Sequence, residues 1–238
     1  EPSPEELAVL APLRGVLPEA VFGPAVEPPA SDGSGRDRAM FRRAGELLEA
    51  ARWVRDGAIL RGADGQQFSV EFMIEASVYE RILSPYVQNL RTLGIDATIR
   101  MVDPAQGQSR RSSFDFDVIS AAFSMSATPV ESVDAFFHSR LASVQGSYNL
   151  SGVDYPGVDA LIDRAGKVGT RDELIAVCRA LDRTLRALHI WIPNWYAAVH
   201  RVAHWDAFGW PETKPDYGFP VETTWWIDEA KAAAVGKG

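Results

Sequence analysis

At 238 residues the chain is long enough to bury a good core, and 46% hydrophobic with 24% charged residues is the balance of an ordinary globular protein. A formal charge of −8, with no long Lys/Arg run, argues against nucleic acid as a partner, and every apolar run is too short to be inserted across a membrane. The single cysteine, Cys178, falls in a helical apolar stripe and excludes an intrachain disulfide or a cysteine-rich metal site.

Seven of the fifteen prolines lie in the first 29 residues, which predicts a wrapping arm over residues 1–36, built of short helical turns and extended segments. Ser3 precedes one or two turns of helix in PEELAVL. Asp37 caps a helix to about Arg52, with Phe41, Ala44, Leu47, Leu48 and Ala51 on one face. Next, Gly62-Ala63-Asp64-Gly65 separates two strand patterns, 58–61 and 67–75, as a hairpin.

Residues 68–102 carry the strongest pattern. Phe68, Val70, Phe72 and Ile74 alternate with Ser69, Glu71, Met73 and Glu75, the period of a strand with one buried face. From Ser77 the apolar positions Tyr79, Ile82, Leu83, Tyr86, Val87, Leu90 and Leu93 are spaced by three and four. Ser77 and Glu80 are placed as a capping box, Pro85 as a kink and Gly94 as a helix end. Ile95, Ala97, Ile99 and Met101 restore the alternation, so the segment is a strand, helix, strand crossover with parallel strands.

Residues 103–113 form a short helix or loop, with Arg110 and Arg111 in a loop before the next strand, where a guanidinium can pair with a carboxylate. The strand FDFDVISAAF ends in small and apolar residues, which predicts a central strand. The loop SMSATPVES follows, at the end of a sheet strand where ligands meet an open α/β layer. A short helix carries Val133, Phe136 and Phe137, and 145–156 is an aperiodic loop. Two core-facing helices come next: Val158, Leu161, Ile162 and Ala165 mark the first. Thr170 and Glu173 cap the second, whose stripe is Leu174, Val177, Cys178, Leu181, Leu185 and Leu188. Six of the seven tryptophans lie beyond Ile190, an aromatic excess that suits an interface as well as a core.

Motifs for chemistry are sparse. There is no Gly-x-Ser-x-Gly elbow, phosphate loop or dinucleotide fingerprint. His200 and His204 have metal-like spacing, but Arg201 follows the first and the local pattern is strand-like, so no metal or other cofactor is implied. Asp115 with Asp117, and Asp159 with Asp163, read as solvated carboxylates flanking a strand and on the outer face of a helix. Two further classes stay open: a small α/β hydrolase using His200 or His204, and an interaction module docking a partner protein through the tryptophans.

Taken in order, DGSGRDR, AGELLEAARW, FSVEFMIE, LSPYVQNLRTLGIDATIRMVD, FDFDV, GSYNLSGVDYPGVDALID and IPNWY resemble the C-terminal half of extracellular solute-binding protein family 5, the peptide receptors of bacterial ABC importers. The nearest likeness is to the oligopeptide and microcin C uptake branch. The resemblance implies a periplasmic, noncatalytic, α/β chain: a periplasmic-binding-protein type II-like lobe with a mixed sheet and the crossover flanked by helices. It implies a ligand-binding lobe over 37–193 and an aromatic-rich return segment over 194–238 toward a hinge and an N-terminal lobe of the same protein. Since no counterpart of that first lobe is present, a truncated or proteolysed product is expected. The implied partners are a peptide or peptide-like small molecule and the permease subunits.

Many relatives in that family carry a Trp after the FD strand and then an Asp that pairs with the peptide's amino terminus. Here Phe123 keeps the aromatic and Ser126 stands near the place of the Asp. Phe123, Ser124, Met125, Ser126 and Thr128 are therefore the first ligand-contact candidates. Ser147, Tyr148 and Asn149 on the later loop are the second group, with Arg110, Arg111 and Trp195 in addition.

Overall fold

The structure, a computed structural model, describes residues 1–194, 199–215 and 218–236. Its elements in chain order are α1 (Pro4–Leu10), α2 (Arg38–Ala50), β1 (Val54–Asp56), β2 (Ile59–Arg61), β3 (Ser69–Ile74), α3 (Ser77–Thr92), β4 (Asp96–Met101), α4 (Pro104–Ser112), β5 (Val118–Ile119), α5 (Val130–Phe137), α6 (Pro156–Ala165), α7 (Arg171–Ala187), β6 (Phe208–Gly209), α8 (Val221–Thr224), β7 (Trp226–Ile227) and α9 (Glu229–Ala234). The described residues divide into two compact units, one of Glu1–Ser124 with Val130–Trp191 and one of Met125–Pro129 with Ile192–Gly238.

The first unit contains the crossover as its alternation predicts. β3 and β4 pair in parallel with Phe72 opposite Ile99, and β3 also pairs in parallel with β5. Period-two alternation sends Val70, Phe72, Ala97, Ile99 and Val118 to one face, where they pack with Leu83, Val87 and Leu90 of α3. Gly94 ends α3 at φ +94, in the left-handed region that L residues with a side chain avoid. The antiparallel pairing lies outside this three-stranded sheet, in β1 with β2 and in β6 with β7.

Several local expectations change. The cap of α3 is Ala76, with no side-chain bond, because the helix already includes Ser77; the Ser77–Glu80 box does not form. The helix runs on through Pro85. The hairpin closes one turn earlier, at Gly57, while the 62–65 turn yields a single bridge between Arg61 and Gln67. The strand beginning at Phe114 is an edge and not the centre: only Val118 and Ile119 join the ladder, and β3 lies between β4 and β5. Its apolar second half has another destination, since Phe123 packs into a separate helical cluster.

That cluster is made by α1, α5, α6 and α7. The capping boxes at Ser3–Glu6 and Thr170–Glu173 both form. The proline-rich arm is part of this core, with Leu10 and Val21 fully buried. Gly157 at the start of α6 makes the close approach possible, because a Cβ there would stand 2.5 Å from Leu17 Cδ2. Glu6 on α1 meets Arg183 on α7 at 3.4 Å, and Arg183 also donates to the Gly23 carbonyl at 2.9 Å.

The second unit is aromatic, and its described elements are short. Trp210 and Trp225 lie 4.9 Å apart, His204 sits edge-on to both, and Lys231 Nζ is 5.4 Å above the Trp210 ring. His200 stacks on Phe219. Both histidine rings are thus used in aromatic packing.

Candidate functional site

The aromatic edge of the helical cluster brings Phe123 and Tyr148, two of the predicted ligand contacts, onto one ring, Phe136. On α5, successive phenylalanines cannot share a helix face. Phe137 is fully buried, and Phe136 is left half-buried at the rim. Phe123, arriving from the end of the β5 segment, meets Phe136 edge-on at 5.1 Å and lies 5.1 Å from Trp191. Tyr148 meets the other side of Phe136 edge-on at 6.3 Å and is 67% exposed. Three rings, Phe123, Phe136 and Tyr148, therefore form a row that opens to solvent at Tyr148.

The loop that carries Tyr148 is held on both flanks. Gly146 donates its N–H to the Ser112 carbonyl at 2.9 Å, and the Ser147 hydroxyl donates to the Leu141 carbonyl at 2.8 Å. Asn149 is fully buried. Its amide donates to the carbonyls of His138 (3.2 Å) and Val153 (2.9 Å) and accepts the Val153 N–H at 2.9 Å. Trp191 Nε1 closes the far side by donating to the Ser151 hydroxyl at 2.9 Å. Of the second group of candidates, only Tyr148 presents its side chain; Ser147 and Asn149 spend theirs on the backbone.

The neighbouring junction fixes α5 against α6. Asp159 accepts the Ser139 N–H at 2.8 Å and also the Ser139 hydroxyl, and it lies 3.2 Å from His138 Nδ1. This corrects its reading as a solvated carboxylate, whereas Asp163 is exposed as expected. Arg140 binds Asp134 through both guanidinium nitrogens, and that hydrogen bonding holds the Asp134 carboxyl below the usual range.

Arg110 and Arg111 are elsewhere. They lie in the last turn of α4 and not in a loop, with Asp103 capping the helix start. Arg110 pairs with Glu71 on β3 and with Asp115, each at 2.9 Å, and Arg111 pairs with Glu75 at 2.6 Å. Asp117 accepts the Glu71 N–H at 2.8 Å. Both arginines are thus engaged by carboxylates of the sheet and its flank, and Asp115 and Asp117 by the same network.

The remaining first-group residues are split by the unit boundary. Ser124 is exposed at the end of the first unit. In the second unit Met125 is 42% exposed, and the Ser126 hydroxyl donates to the Thr128 carbonyl at 2.8 Å. Trp195 lies outside the described residues. Sequence reasoning did not single out Phe136 or Trp191 as site residues. The adjacent Phe136-Phe137 pair is the signal for the first, since a helix can bury only one of them.

No protein-family model matches the chain. It is 38% identical over 230 residues to the "Probable peptide-binding protein YejA" of Agrobacterium fabrum, a match that covers 96% of this chain and 38% of that protein. It is 35% identical over 234 residues to YejA of Escherichia coli, covering 98% of this chain and 38% of that one. The chain therefore spans less than two fifths of the length of these relatives. Among solved structures, the oligopeptide-binding protein AppA of Bacillus subtilis in complex with a nonapeptide matches 78% of the chain and 38% of its own, with a TM-score of 0.56 and 19% identity. That likeness is one of fold. Over the part of their length that it spans, the chain is homologous to these YejA proteins, and its fold is similar to that of the AppA segment it matches.

Proposed function

We propose that this chain is a ligand-binding lobe of a periplasmic receptor that binds peptides or peptide-like compounds and delivers them to the permease of an ABC importer. The relationship to a protein named as peptide-binding, over 96% of the chain, carries the reading. The aromatic row at Phe123, Phe136 and Tyr148 supports it, because a concave receptor site needs apolar anchors on a rigid frame. In this reading the chain acts by binding and not by catalysis, and residues 194–238 form the return toward a first lobe that closes over the ligand. The carboxylate expected for the ligand's amino terminus has no counterpart at Ser126, so backbone contacts and apolar pockets on this lobe, or charges on the other, do the holding.

The test is native mass spectrometry of the full-length protein after exposure to a mixture of peptides three to nine residues long. Adducts of peptide mass are expected. Adducts only with an oligosaccharide or a metal chelate, offered in parallel, would sink the peptide reading.

A further inference from the structure

We infer that the Phe136–Tyr148 corner is a selective site for one apolar, preferentially aromatic, side chain of the bound peptide, with Tyr148 as its wall. The inference deepens the peptide-receptor reading and rests on it. A tyrosine ring that is 67% exposed is unusual company for a loop whose neighbours are so firmly tied. On one flank the Ser147 hydroxyl is bound to the Leu141 carbonyl, and on the other Asn149 is fully buried with three backbone partners. The backbone under Tyr148 is therefore fixed before any ligand arrives.

A fixed aromatic wall binds at low entropic cost, because only the side chain's two torsions remain to be ordered. The ring is edge-on to Phe136, and the half-buried Phe136 is edge-on in turn to Phe123. The exposed face of Tyr148 and the rim of Phe136 thus offer an apolar corner in which an incoming ring can repeat the same edge-to-face geometry. The charges of the adjoining α5–α6 junction are already engaged: Arg140 is paired with Asp134, and Asp159 is occupied by Ser139 and His138. A charged side chain placed here would lose its hydration without gaining a partner.

The experiment is affinity capture from a random peptide pool by the full-length protein, with the bound peptides eluted and sequenced by mass spectrometry. Wild type is expected to enrich Phe, Tyr, Trp or Leu at one position of the bound peptide. Tyr148→Ala should lower that enrichment at least fivefold, and Tyr148→Phe should retain it. Because the side chain is exposed, neither substitution disturbs the core. No side-chain enrichment in wild type, or enrichment that survives Tyr148→Ala, overturns the side-chain site and leaves the peptide reading standing. Capture of no peptide at all overturns both.

Discussion

Asn149 shows how a residue's place in a loop can be legible while its burial and partners are not. Its place in a Gly, Ser, Asn and Tyr loop is evident from composition, and such loops favour polar ligand contacts. An aperiodic stretch carries no burial signal, however, and only the structure reveals that this amide is fully buried and bonded to His138 and Val153. Asn149 thus serves the loop and Tyr148 the solvent. Replacing Asn149 by alanine would leave the buried N–H and carbonyl of Val153 without this partner, while the His138 carbonyl keeps the Leu141 N–H, at a cost of about 2–3 kcal/mol in folding stability. Urea denaturation of Asn149→Ala against wild type measures it; a loss below about 0.5 kcal/mol would mean that the loop is not clamped through this side chain.

At the scale of elements, the crossover was the most legible part, because two changes of period mark its strands and helix and Gly94 marks the stop. Edge and centre were not legible. The small, apolar second half of the FDFDVISAAF run gives the composition of a central strand, yet the ladder is two residues long, and the one aromatic residue of that half, Phe123, leaves for the helical cluster. Composition cannot tell a strand buried between neighbours from a segment passing between two cores. Pro85 belongs to the same scale. It sits in the third turn of α3, is exposed, and deprives the helix of one N–H donor. Since no packing is lost at an exposed site, Pro85→Ala should stabilise the protein by about 1–3 kcal/mol. A thermal melt that moves down, or not at all, would show that the proline is accommodated without cost.

For the whole molecule, the chain builds two cores in one unit by joining parts that lie far apart in sequence. The arm supplies Leu10 and Val21, α5 supplies Phe137, and α6 and α7 supply Leu161, Val177 and Ala180. Each helix declares an apolar face in the sequence, but no periodicity says which faces meet; the Glu6–Arg183 pairing, across 177 residues, is of that kind. The second unit differs in what it buries. Among its described residues the buried apolar side chains are the small ones of Ala207 and Ala232, and its ladder joins only Phe208–Gly209 to Trp226–Ile227. Meanwhile Trp205, Trp226 and Ile227 are more than half exposed, at 64%, 53% and 63%. Little apolar burial and few enclosed backbone bonds mean a low free energy of local opening. Amide hydrogen exchange read by mass spectrometry should therefore show peptides from 199–215 exchanging at least about a hundredfold faster than those from α7, whose buried stripe runs through Leu174, Val177 and Leu181. Equal protection of the two regions would mean that the second unit draws stability from something other than its own interior.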